Sequence, residues 1–156
     1  DPFSLLAQPL PSSFTLAQEF PKHINQHINT FGYLVSIKQT KTNKGDTMCF
    51  GTFLDPSGDF LDTVHFPQIT ARYPFYGKGV YRISGKITEE FSYFTLEVAT
   101  LEKLAFAEDV SSQAIALGLR VETDNTNESV GKKSIDKEKT NASDSFWVIV
   151  AMVLGK

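Results

Sequence analysis

The sequence lacks several features that would mark particular classes of protein. It has one cysteine, Cys49, which excludes an internal disulfide. It has no excess of positive charge. The formal net charge of −3 excludes a uniformly basic nucleic-acid-binding protein, although a local basic patch remains possible. The longest apolar run near the C-terminus, residues 146–154, is much shorter than the roughly 20 residues of a membrane-spanning helix. We therefore expect no membrane partner.

Residue patterns typical of catalysis, metal binding or cofactor binding are also missing. His23 and His27 are four residues apart, but neither His65 nor Cys49 follows at the spacing of a third metal ligand. The glycines of GKGVYR, residues 77–82, precede a predicted strand and not the helix that a phosphate-binding loop requires. Ser, His and Asp residues occur without a nucleophile motif. We expect no catalytic residue, no metal and no cofactor, and therefore no enzyme within this chain.

Aromatic residues, by contrast, are abundant, and the 13 Phe favour β structure. Alternation of apolar and polar residues predicts five short strands and one short helix. The strands cover residues 31–40, 47–54, 60–66, 79–88 and 93–100, and the helix covers 68–73. Open sheet edges are costly, so closure into a barrel is expected. The order of elements predicts an all-β, five-stranded OB-fold Greek-key barrel with the helix between strands 3 and 4, and an SH3-like barrel is the alternative closure.

The flanks of this barrel differ from it in composition. Residues 1–30 are proline-containing and predict an irregular or helical lead-in to a domain over 31–104. Residues 105–119 fit a helix of small residues, and the polar, charge-mixed stretch 123–145 is typical of a linker. We therefore expect 105–156 to be largely disordered, a poorly ordered C-terminal tail. Because the sequence begins with Asp1 and not Met, we also expect it to be a piece of a longer chain.

The first hairpin contains the strongest candidate site. Its loop, TKTNKGD at 40–46, carries Lys41 and Lys44, and Lys38 precedes it. Such a loop can contact phosphates, although a solvated turn is the commoner role. Large side chains lie on both faces of strand 2. If Cys49 and Phe53 fill the barrel, Phe50 faces outward as a platform on which a base can stack; a register error of one residue would exchange the two Phe.

The remaining candidates depend on the same register. We expect His65 on the outer side of strand 3 beside Phe50, although a lone histidine is more often a surface or hydrogen-bonded residue. Arg82 either extends the positive track or belongs to the polar face of strand 4, and Tyr93 either stacks on a base or fixes the turn before it. The predicted nucleic-acid-binding residues are Lys38, Lys41, Lys44, Phe50, Thr52, His65, Arg82 and Tyr93.

Several stretches resemble the OB domain near the C-terminus of the bacterial DNA polymerase III alpha subunit. They are GYLVSIKQTKTNKGDTMCFGTFLD (32–55), DTVHFP (62–67), YPFYGKGVYRISGKITEEF (73–91) and LEVATLEKL (96–104), with DPFSLL (1–6) in the lead-in. The core of the first stretch is shared more loosely with OB anticodon-binding domains of tRNA synthetases. The tail after Ala105 shows no resemblance.

The resemblance implies a non-catalytic module that binds single-stranded template DNA. It also implies a cytoplasmic location and contacts with other domains or subunits of the replicative polymerase. The catalytic carboxylates of that family lie upstream of this region. Two alternatives remain open: an OB module that positions neighbouring protein domains, which the acidic pI of about 5.6 favours, and an RNA-binding, anticodon-type OB domain.

Overall fold

The computed structural model describes residues 1–118 and divides the chain into two compact units, Asp1–Leu104 and a second that begins at Ala105. The strands of the first unit are β1 (His27–Lys41), β2 (Thr47–Leu54), β3 (Phe60–His65), β4 (Val80–Glu90) and β5 (Tyr93–Lys103). Helix α1, Pro67–Arg72, joins β3 to β4, and two 3₁₀ helices, Pro2–Leu5 and Ala17–Lys22, precede β1. The second unit contains helix α2, Ala107–Ala116. The predicted linker and tail lie outside the described residues.

The five strands close into a barrel in the order β1-β2-β3-β5-β4, with β4 pairing back to β1. β3 and β5 run parallel, and the other neighbouring strands are antiparallel. Closure pairs the strands that would otherwise be edges. The order of strands and the short helix after β3 confirm the predicted OB-fold.

Alternate residues of the strands fill the barrel. β4 contributes Tyr81, Ile83 and Ile87 to the core, and these side chains pack with Phe53 of β2 and Leu96 of β5. The alternation that predicted these strands therefore reflects real burial of one face.

A glycine allows β4 and β5 to come unusually close at a bulge. The register between these strands shifts between Ser84 and Gly85, and a Cβ at Gly85 would collide with the backbone carbonyl of Glu97. A side chain at this position would therefore force the two strands apart.

Strand β1 begins earlier than the sequence analysis predicts. It starts at His27 instead of residue 31, and Ile28 and Thr30 are buried where they pair with β4. The four-residue spacing of Ile24 and Ile28 is compatible with a helix as well as with an extended chain. Pairing with β4 selects the extended form, because it satisfies the backbone groups of residues 27–33.

Candidate nucleic-acid interface

The outer face of β2 carries Phe50. Cys49 and Phe53 point into the barrel and are buried, whereas Phe50 is 40% exposed. The predicted outward orientation of Phe50 is therefore confirmed. In the register of the sheet, Phe50 lies between Lys38 of β1 and Val64 of β3. A lysine and an exposed aromatic ring thus lie side by side on one face.

The loop between β1 and β2 is a compact polar turn. The Thr42 N–H donates to the carbonyl of Asp46 at 2.9 Å, and the Gly45 N–H donates to the carbonyl of Thr42 at 2.9 Å. Gly45 has a φ of +83°, which its missing side chain permits. The loop therefore holds the exposed Lys44 at the end of the hairpin.

The three lysines do not share one face. Lys38 lies opposite Phe50, on the outer face of the hairpin, whereas Lys41 lies opposite Thr47, on the other face. The Lys41 ammonium donates to Thr47 Oγ1 at 2.8 Å. Lys38 therefore shares the sheet face with Phe50, whereas the charge of Lys41 and Lys44 is grouped at the end of the hairpin.

An acidic residue that the sequence analysis missed lies beside Thr52. Asp62 is opposite Thr52 in the register, and the Thr52 hydroxyl donates to Asp62 Oδ1 at 2.9 Å. The Tyr93 hydroxyl donates to Asp62 Oδ2. This hydrogen bond, followed by the charge of Asp62, raises the pKa of Tyr93. Asp62 shares the outer face of β3 with Phe60, but both faces of this strand mix polar and apolar residues, so alternation alone did not identify it.

Phe60, Phe91 and Tyr93 are exposed aromatic residues at or next to the starts of β3 and β5. Phe60 is 66% exposed at the start of β3, Tyr93 is 60% exposed at the start of β5, and Phe91 is 96% exposed in the turn before β5. The register pairs Asp62 with Thr95, so the start of β3 lies beside the start of β5. Phe60 and Phe91 were not predicted. The only signal for Phe91 was a large residue in a turn that usually contains Asn or Gly.

The turn that carries Phe91 has backbone angles that are unfavourable for Phe and Ser. Phe91 and Ser92 have φ values of +50° and +62°, and Glu90 pairs with Tyr93, so the two residues form a two-residue hairpin loop. Positive φ at both central positions corresponds to a type I′ turn, which favours Asn-Gly. A bulky residue at positive φ is uncommon and costs free energy.

The predicted outward position of His65 is wrong. His65 is completely buried in the barrel, where it lies opposite Cys49 and 4.7 Å from the ring of Phe75. Its Nε2 lies 2.7 Å from Thr63 Oγ1, and the Thr63 hydroxyl donates to the carbonyl of Gly51 at 3.2 Å. Burial lowers the pKa of His65 to about 4. A buried histidine cannot contact a ligand on the outer face, and Thr63 provides the partner that makes its burial possible.

Arg82 is exposed but lies away from Phe50. On β4 it pairs with Phe31 of β1 and Glu102 of β5. Its guanidinium lies 5.8 Å from the centre of the Phe31 ring and 3.6 Å from a carboxylate oxygen of Glu102. The structure therefore does not bring Arg82 together with Lys38 and Phe50.

A groove of about 960 Å³ continues the surface towards α1. Its lining includes Asp46, Phe66, Ile69, Lys86 and Glu97. Glu97 pairs with Val64, the neighbour of Phe50, so the groove borders the outer face. Its charged lining is of mixed sign, which does not indicate a dedicated anion site.

Residues 1–118 also lack a cluster of metal ligands and a helix that could cross a membrane. No three His, Cys, Asp or Glu side chains in this range are grouped closely enough to bind a metal ion. The helices of the same range are all too short or too polar to cross a membrane.

Comparisons with solved structures found matches at low sequence identity and with TM-scores below 0.5. PriB from Ralstonia solanacearum has 10% identity and a TM-score of 0.41, over 49% of this chain and 95% of that protein. A protein from Klebsiella pneumoniae described as a candidate nucleic acid-binding lipoprotein has 14% identity and a TM-score of 0.41. The match covers 57% of this chain and 77% of that protein. The second OB-fold domain of replication protein A from Methanococcus maripaludis has 14% identity and a TM-score of 0.34. The match covers 52% of this chain and 84% of that domain.

No protein-family model and no curated protein matches the sequence. Nothing in these comparisons links the chain to DNA polymerase III.

Proposed function

We propose that this protein binds single-stranded DNA without catalysing a reaction on it. The observation that carries the proposal is the exposed ring of Phe50, placed beside Lys38 on the outer face of an OB-fold barrel. Exposed rings stack on bases of any sequence, and each stacked base contributes about 1–3 kcal/mol. The exposed Lys44 and Lys41 at the end of the same hairpin supply positive charge for the phosphates.

A finer assignment follows from the resemblance in sequence. We propose that the chain is the template-binding OB module of a replicative polymerase alpha subunit, acting in the cytoplasm beside other polymerase domains or subunits. Residues 32–55 and 73–91 support this assignment.

The second candidate function is a protein-interaction module that positions neighbouring polymerase domains and binds little DNA. The acidic character of the chain, with a pI of about 5.6, favours it. The position of Asp62 on the same face as Phe50 and that of Glu97 beside Val64 favour it as well. The two functions differ in one measurable property, because only a DNA-binding module should bind a labelled oligonucleotide with strong salt dependence.

The test is fluorescence anisotropy of labelled oligo-dT against the full chain across a salt series. We expect micromolar binding that weakens as salt rises, because phosphate contacts release counterions. The double variant Lys41→Glu with Lys44→Glu should bind more weakly. It should also reduce the slope of log K against log salt by roughly 1.4, since each phosphate contact on a single strand contributes about 0.7.

A charge-matched variant serves as the control. Lys22→Glu with Lys78→Glu makes the same change in net charge at exposed positions outside the hairpin, and it should largely keep the salt slope. Equal effects of the two double variants would contradict the loop assignment. Absence of binding at low salt would favour the protein-interaction function, and tighter binding of oligo-U would favour RNA.

A further inference from the structure

An acidic side chain lies in the middle of a face proposed to bind a polyanion. Asp62 is flanked along β3 by Phe60, two residues earlier on the same face, and it is the diagonal neighbour of Phe50 across β2. Such neighbours are about 7–8 Å apart between Cα atoms, within reach of aromatic side chains. The hydroxyl of Tyr93 contacts the same carboxylate from β5. Exposed aromatic rings therefore surround the Asp62 carboxylate on three strands.

A carboxylate in this position repels phosphates and attracts hydrogen-bond donors. The phosphates of a bound strand are then expected to lie towards Lys38 and the hairpin end, with the bases over Phe50 and Asp62. Each oxygen of Asp62 accepts one described hydrogen bond, from Thr52 at Oδ1 and from Tyr93 at Oδ2. A carboxylate oxygen has two lone pairs, so each oxygen can accept one more.

We propose that Asp62 gives this interface a preference for guanine. The Watson–Crick edge of guanine presents two parallel donors, N1–H and N2–H, which match the two oxygens of a carboxylate. Thymine presents a single N3–H between two carbonyl oxygens, and the negatively charged carboxylate repels both of these oxygens. Adenine and cytosine each place an amino donor beside a ring-nitrogen acceptor. Bases of single strands are free to be recognised on this edge while they stack on aromatic rings.

The preference rests on the proposed function, because Asp62 can select a base only if single-stranded DNA lies on this face. The two fixed hydroxyl donors hold the carboxylate in place, so a base need not order it on binding. A bidentate contact discriminates between bases by about tenfold or more in affinity.

The experiment compares labelled 12-mers with the full chain: oligo-dT, oligo-dT with one central dG, and the same with one central deoxyinosine. We expect the dG oligonucleotide to bind about tenfold tighter than oligo-dT. Deoxyinosine should fall between them, because it keeps N1–H and lacks the N2 amino group. This comparison changes the DNA and not the protein, so it does not depend on how a variant folds.

Variants then assign the preference to one side chain. Asp62→Asn should abolish the preference for dG over dT, because its amide replaces one of the two carboxylate acceptors with a donor. Glu102→Gln makes the same change in charge beside Arg82, and it should keep the preference. Equal binding of the three oligonucleotides by the wild type would overturn the inference and leave the proposed function standing. Failure to bind any of them at low salt would overturn both.

Discussion

His65 brings a titratable side chain into the barrel interior, where burial lowers its pKa to about 4. The Thr63 hydroxyl proton is directed to the carbonyl of Gly51, so Thr63 Oγ1 accepts from Nε2–H of His65. Nδ1 of His65 then carries no proton and has no hydrogen-bond partner among residues 1–118. Protonation would place an uncompensated charge in the core, which explains the direction of the pKa.

Acid should therefore destabilise the barrel through His65. The unfolded chain binds this proton below a pKa of about 6.5 and the folded chain only below about 4, so stability is lost as pH falls between these values. The loss from this group approaches about 3 kcal/mol. Urea unfolding at pH 7 and pH 4 measures it. Between pH 7 and pH 4, the unfolding free energy of His65→Gln should fall by about 3 kcal/mol less than that of the wild type. His27→Gln, at an exposed position, should show the same fall as the wild type. Identical losses in all three proteins would contradict the prediction.

The contrast between Phe50 and His65 shows which site residues could be predicted from the sequence. In β2 large side chains lie on both faces, so alternation placed Phe50 outward only if Cys49 and Phe53 fill the barrel, and the structure shows that they do. In β3 both sets mix polar and apolar residues. The structure buries the set that contains Thr63 and His65, whose side chains hydrogen-bond to each other, and a contact between side chains of this kind is not visible in the spacing.

The turn between β4 and β5 combines the most exposed aromatic ring among the described residues with positive φ angles. We expect Phe91→Asn to raise the free energy of unfolding by about 1 kcal/mol, because Asn tolerates the left-handed region. The same change should weaken binding of single-stranded DNA by about fivefold or more, since one stacked base contributes about 1–3 kcal/mol. Denaturant unfolding and anisotropy measure the two effects separately.

Ser92→Gly is the matched control for this turn. It also relieves a positive φ, at 62°, but keeps the ring of Phe91. It should therefore stabilise the barrel without loss of affinity. If Phe91→Asn stabilises the protein and leaves the affinity unchanged, Phe91 does not contact the DNA.

Strand order was more predictable than strand ends. The five strands and α1 were expected from alternation and from turns such as residues 55–59, and the structure contains them in that order. The beginning of β1 was not predicted, because residues 27–30 owe their extended form to pairing with β4, which is distant in sequence. For the same reason, the sequence did not decide whether Arg82 lies near Phe50. That depends on which strands become neighbours when the barrel closes.

Charge is unevenly distributed along the proposed interface. The lysine-bearing loop, residues 42–46, follows the end of β1, and the turn at Phe91 precedes β5. β3 begins beside the start of β5 and ends opposite the start of β2, so the loop and the turn lie at opposite ends of this face. Glu89 and Glu90 are exposed next to the turn. One end of the face is therefore positive and the other negative.

This polarity should limit the rate at which DNA associates. Replacing Glu89 and Glu90 by Gln removes two negative charges next to the turn. The association rate constant for oligo-dT should then rise about three- to tenfold at low ionic strength, because charges near an interface steer a charged ligand. At about 1 M salt, where the screening length is about 3 Å, the increase should disappear. Stopped-flow fluorescence measures both regimes. Glu108→Gln with Asp109→Asn removes the same amount of negative charge at exposed positions of α2, and an equal increase with that variant would contradict the assignment of the effect to Glu89 and Glu90.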